Sequence, residues 1–138
     1  LLLTVEWVGL AQALILGMIT PLGGMLRGVL PLPMAVMIPF IALGNATLTM
    51  TFTALRRWGR APALLVGALA KFALLVGSVA LLQATPLTLT LGSDATAVHI
   101  PESLAGMMRW PQLATALAGG LLAQGVLWLN ARSRRGTR

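Results

Sequence analysis

Residues 61–82 read APALLVGALAKFALLVGSVALL, an apolar run whose one charge, Lys71, lies near its middle. A helix of that length crosses the ~30 Å hydrocarbon layer of a bilayer. A lysine at that depth costs about 3 kcal/mol on insertion scales and more than about 10 kcal/mol in simulations of an isolated helix. Such a residue needs a buried partner or a wet cavity, and usually marks a working site. Snorkelling does not rescue it, because Lys71 stands roughly 15 Å from the inner start of the run at 1.5 Å per residue.

The preceding apolar run, 34–55, predicts a second span, interrupted near its start by Pro39. Only RRWGR (56–60) separates the two runs, so the helices are antiparallel neighbours. Asn45 lies roughly 16 Å below the outer start of its helix, which puts it at the depth of Lys71. A Lys ammonium has three donors and no acceptor, so an amide oxygen or a ligand carboxylate is its natural partner. Pro62 suits the first turn of the Lys71 helix.

Working outward, residues 11–30 predict a further span that contains Pro21, Gly23 and Gly24. Pro21 cannot donate its backbone hydrogen bond; a kink is expected, tolerated if a neighbouring helix satisfies the freed carbonyl. Residues 1–20 as one helix, with 21–33 as a loop, is an alternative that periodicity does not decide. Leu1 to Val5 is too short to span, and Glu6, Trp7 and Gly9 after it suit a membrane interface. Because the chain opens on Leu1 inside an apolar run with no charged leader, it reads as lacking its N-terminal helices. Pro31 and Pro33 predict a tight extended connection.

Residues 83–110 are polar by comparison. The Leu–Thr alternation to Leu91 has a strand-like period, although an isolated hairpin is marginal. Pro101, Glu102 and Ser103 look like the start of a short interfacial turn ending at Trp110. Residues 111–131 predict the last span. The expectation is therefore an all-α, polytopic transmembrane bundle of about four full or nearly full spans. It forms one domain over 1–131, followed by a basic cytoplasmic tail at 132–138.

Composition agrees. Of the 138 residues 57% are hydrophobic and 9% charged, with mean hydropathy +0.87; soluble domains carry roughly 25% charge. There is no cysteine, which excludes disulfides and thiolate metal sites. The net charge of +7 does not point to nucleic acid, because the arginines flank apolar runs and no basic face is interleaved with aromatics. They read as topology signals and contacts to anionic lipid. Arg56, Arg57 and Arg60 mark one side, and Arg132, Arg134, Arg135 and Arg138 mark the same side two crossings later. By the positive-inside bias that side, with the C-terminus, is cytoplasmic, and 83–110 faces out.

Close helix contacts are expected where small residues recur four apart: Ala63 with Gly67, Ala116 with Gly120, and Gly119 with Ala123. Thr47, Thr49, Thr51 and Thr53 are expected to bond back to their own helix. Besides Asn45 and Lys71, Gln112 reads as lining a pocket mouth near the outer surface, and Arg27 as closing a pocket from outside. Gln124 reads as a packing residue. His99, Asp94 and Glu102 share the outer loop without metal-ligand spacing and read as solvated, so no metal is assigned. No nucleophile–base pair, paired carboxylates or phosphate-binding loop is present, so neither an enzyme nor a cofactor is expected.

The runs IPFIALGN (38–45), ALAKF (68–72) and WPQLATALAGG (110–120), with TPLGGMLRGVLPLP (20–33) upstream, occur in order over most of residues 10–125. In these the chain resembles the small substrate-binding S components of energy-coupling-factor transporters, in particular a subgroup often mislabelled iron hydrogenase. The resemblance implies a six-helix bundle in a prokaryotic plasma (inner) membrane, of which residues 1–5 would end helix 2. Residues 11–30 would be helix 3 and the later spans helices 4 to 6. It also implies capture of a vitamin-like solute or a metal ion from the outer side. A transmembrane coupling subunit and two cytoplasmic ATPases would be partners, besides lipid. Asn45, Lys71 and Gln112 fall on the motif positions.

Overall fold

The computed structural model describes residues 1–28, 32–84, 87–91, 94–98, 102, 106 and 110–136. Its described elements, in chain order, are α1 (Leu2–Trp7), α2 (Leu10–Leu26), a 3-10 segment (Leu32–Met37) and α3 (Ile38–Leu55). A 3-10 turn (Arg56–Trp58), α4 (Arg60–Ala84), strands β1 (Leu87–Leu91) and β2 (Asp94–Val98), and α5 (Trp110–Gly136) follow. Among the described residues three helical stretches are long and apolar enough to cross a membrane: 35–58, 60–84 and 110–134.

Where each helix starts and stops has a local cause. Pro39 occupies the first turn of α3, where a missing N–H costs nothing, so the chain before it takes the tighter 3-10 form and α-helix begins only at Ile38. Gly59 joins α3 to α4 with φ +135°, a conformation open to glycine and strained for other residues. That single residue lets two long helices fold back on each other. Gly28, at φ +69°, ends α2 in the left-handed conformation, and its N–H returns to the Met25 carbonyl at 3.0 Å.

The expected span at 11–30 is thereby corrected. α2 stops at Leu26 and has 17 residues, about 25 Å, short of a full crossing. The alternative of one helix over 1–20 is also excluded, since Gly9 separates α1 from α2. The Leu–Thr repeat does form a hairpin, with Leu87 opposite Val98 and Leu91 opposite Asp94; the helical frame is unaffected. α5 carries the basic segment onward as helix to Gly136, so the first part of the expected tail is ordered. Pro31, His99, Pro101, Ser103, Arg109 and Arg138 lie outside the described residues.

α3 and α4 form the centre of the bundle, with α2 against α3 and α5 against α4. Two apolar clusters sit at different heights along them. Met37, Ile41, Leu75, Val79 and Leu82 form one. Leu2, Val5, Ala13, Phe52, Ala63, Leu64 and Ala123 form the other. Between the two lies a buried polar layer, Asn45, Thr49 and Lys71. The outward faces carry large apolar side chains, among them Ile15, Met18, Ile19, Leu121, Leu122 and Leu129, a pattern suited to lipid contact and not to water.

Small residues set the helix spacing. A Cβ added at Gly67 would stand 3.1 Å from the Leu48 carbonyl oxygen, and one at Gly44 would stand 3.3 Å from Lys71 Cγ. Gly120 abuts Leu64 closely enough that any side chain would collide with it. Ala63 is fully buried. α5 is joined to the lower half of α4 by Gln124, which donates to the Arg60 carbonyl at 3.3 Å. Near its start the Trp110 ring packs 5.5 Å from that of Phe72. Glu6 ties α1 to the basic turn, 2.9 Å from Arg60 and 3.5 Å from Arg56.

Candidate functional site

Lys71 is 8% exposed and Asn45 4%. Asn45 lies eleven residues before Arg56 and Lys71 eleven after Arg60, so both stand about 16 Å above the basic turn. The Lys71 ammonium donates to Asn45 Oδ1 at 2.8 Å. In turn, the Asn45 amide donates from Nδ2 to the Gly17 carbonyl at 2.9 Å.

The acceptor explains why an asparagine is there. In an α-helix the carbonyl of residue 17 would receive the N–H of residue 21. That residue is Pro21, which has none. Asn45 thus supplies, from a neighbouring helix, the donor that the proline withholds. This is the rescue that the position of Pro21 demands of a helix in lipid. The amide has one consistent orientation, because the carbonyl can only accept and the ammonium can only donate. Gly17 permits the approach: a Cβ there would stand 3.2 Å from that of Asn45.

The result is a continuous connection from α2 through α3 to α4. Thr49 reinforces it from below, donating to the Asn45 carbonyl at 2.6 Å. Thr47 and Thr53 bond back in the same way to Leu43 and Thr49, a habit of threonines in membrane helices.

Lys71 keeps two donors beyond the one given to Asn45, and it forms part of the wall of a cavity of about 350 Å³. The other walls are Leu1 to Leu3, Leu48 on α3, and the α5 face that carries Thr115, Ala116, Gly119, Gly120, Leu122, Ala123 and Val126. Lys71 is the one ionisable side chain among them. Two of the expected small-residue pairs, Ala116 with Gly120 and Gly119 with Ala123, therefore border this space; Gly120 and Ala123 also pack on α4, whereas a Cβ at Gly119 would meet nothing within 4 Å.

The remaining site residues are not brought together with this pair. Gln112 is half-buried and lies two residues, about half a turn, from Trp110, whose ring meets Phe72. That puts it close to the level of Phe72 along α4, and it is not among the described residues that line the cavity. Its backbone carbonyl accepts from Thr115 at 3.2 Å. Arg27 is exposed beyond the end of α2 and is likewise absent from the cavity wall. Gln124 has the packing role expected of it. Among the described residues no group of three or more His, Asp or Glu side chains could hold a metal ion.

Sequence reasoning pairs Asn45 with Lys71 but does not find Gly17 as the third member. The signal is available: a proline inside an apolar helix leaves the carbonyl four residues earlier unpaired, and that residue is a glycine. No family model, curated protein or solved structure matches the chain.

Proposed function

We propose that this chain is the substrate-binding membrane subunit of an ATP-driven importer of the energy-coupling-factor type. In this reading it captures a small solute from the outer side and passes it on through a transmembrane coupling subunit driven by two cytoplasmic ATPases. The observation that carries the reading is Lys71: an ammonium buried at mid-span, satisfied only in part by Asn45, on the wall of a cavity large enough for a small molecule. The motif resemblance over residues 38–45, 68–72 and 110–120 supports the same reading, and with it a cytoplasmic basic turn and C-terminus.

The test is isolation of the tagged chain from its native membrane. It is expected to bring down two ATPases and a coupling subunit, and vesicles containing that complex should accumulate a vitamin-sized solute only when ATP is supplied. A chain that purifies alone and supports no ATP-dependent uptake would overturn the proposal.

The Asn45–Gly17 bond favours a second reading, a structural or assembly subunit in which Lys71 locks three helices and binds nothing. That reading requires the stability of the purified chain to be indifferent to every small molecule, while substitutions at Asn45 and Lys71 remain strongly coupled.

A further inference from the structure

The wall chemistry narrows what the cavity can hold. Among the described residues Lys71 is its one charged side chain. Thr115, the other polar one, has already donated its hydroxyl to the Gln112 carbonyl. The rest of the lining is aliphatic or has no side chain beyond Cβ, with its bulk supplied by Leu1 to Leu3, Leu48 on α3, and Leu122 and Val126 on α5. A divalent cation is disfavoured on two counts: the described wall residues offer no carboxylate or imidazole side chain, and their fixed charge is positive. A phosphate or polyanion is disfavoured because, beyond Lys71, the one other ammonium on the described wall is that of Leu1, and negative charge not paired with either would be left bare against leucine. A neutral apolar molecule would leave two donors of a buried ammonium unused.

We infer that the cavity is a binding site for a small monocarboxylate with an apolar body. Its carboxylate accepts the two free N–H groups of Lys71, and its body fills the space between Leu48, α1 and α5. Asn45 is then a positioning residue: held by Gly17 on one side, it fixes the lysine without touching the ligand. The inference rests on the capture reading and deepens it by naming the class of solute.

Thermal unfolding of the full chain in detergent, with phenylpropionate and its neutral amide as probes, tests this. Phenylpropionate is expected to raise the midpoint, and the amide to bind at least ~10-fold more weakly, as the loss of a charge-assisted hydrogen bond requires. K71M should abolish the shift. Because K71M also removes the partner of Asn45, a second variant keeps that bond: G119L projects into the cavity from a position where a new Cβ meets nothing within 4 Å. It is expected to block phenylpropionate while leaving the unliganded midpoint in place.

Equal shifts from the acid and the amide, or a shift that survives both variants, would overturn the assignment. A shift produced by Co²⁺ or succinate but not by phenylpropionate would overturn the ligand class while leaving capture standing. Lys71-dependent binding of phenylpropionate by a chain that supports no ATP-dependent uptake would uphold the site and remove the transporter reading.

Discussion

If Asn45 replaces the N–H that Pro21 lacks, then restoring that N–H should make Asn45 less necessary. N45L deletes two buried hydrogen bonds, one to the Gly17 carbonyl and one from Lys71. Side-chain hydrogen bonds within membrane proteins contribute about 0.6 kcal/mol on average and up to about 1.7. A bond to a charged group contributes about 1.5–3 kcal/mol, so N45L should destabilise the bundle by roughly 2–5 kcal/mol. In a P21A background the substituted residue regains a backbone N–H that can donate to Gly17 within its own helix, and N45L then forfeits only the lysine contact. The cost of N45L should fall by about 0.6–1.7 kcal/mol. Denaturant titration of the four purified proteins in mixed micelles, followed by helix circular dichroism, measures this coupling. The cycle cancels whatever else P21A does to α2. A coupling within the ~0.3–0.5 kcal/mol error of additivity would refute the reasoning.

Three more outcomes are expected. G67A forces a methyl against the Leu48 carbonyl oxygen, a backbone atom with no room to yield, and should cost about 1–3 kcal/mol; G77A, which meets nothing, should be neutral or up to about 1 kcal/mol stabilising in the same titration. E6Q removes the ion pairs to Arg56 and Arg60; the arginine side chains are 41% and 50% exposed but that of Glu6 only 11%, so the loss should exceed the ~1 kcal/mol of a surface pair and persist in part in high salt. The chain has no cysteine, so R57C and R132C report topology directly. In intact cells both should resist an impermeant maleimide and react only after the membrane is opened; labelling from outside would reverse the proposed orientation.

Much of the central pair is legible because it depends on only two periodic facts, the length of an apolar run and the shortness of RRWGR. Those suffice to bring Asn45 and Lys71 to one depth. The end of α2 is misjudged because apolar character continues past Gly28, while backbone conformation, to which hydropathy is blind, stops the helix there. The hairpin reads as marginal on general grounds despite a pattern that specifies it. The height of α5 is hidden for a different reason. Nothing in 110–131 taken alone reveals that Gly120 must meet Leu64 or that Gln124 must reach the Arg60 carbonyl, since both depend on a partner helix. The level of Gln112 along α4 follows from the same contacts. The Glu6 contact is also tertiary, joining residues more than fifty positions apart.

The α5 side of the cavity is built largely from Ala116, Gly119, Gly120 and Ala123. That stretch has no rotamers, so the flipping side chains on this flank are confined to Thr115, Leu122 and Val126 at its edges. Widening it requires α5 to slide or tilt as a rod against α4, and motions of whole helices run in microseconds to milliseconds, far slower than the picosecond-to-nanosecond hops of exposed side chains. Whatever passes over that stretch exchanges at the tempo of the helix.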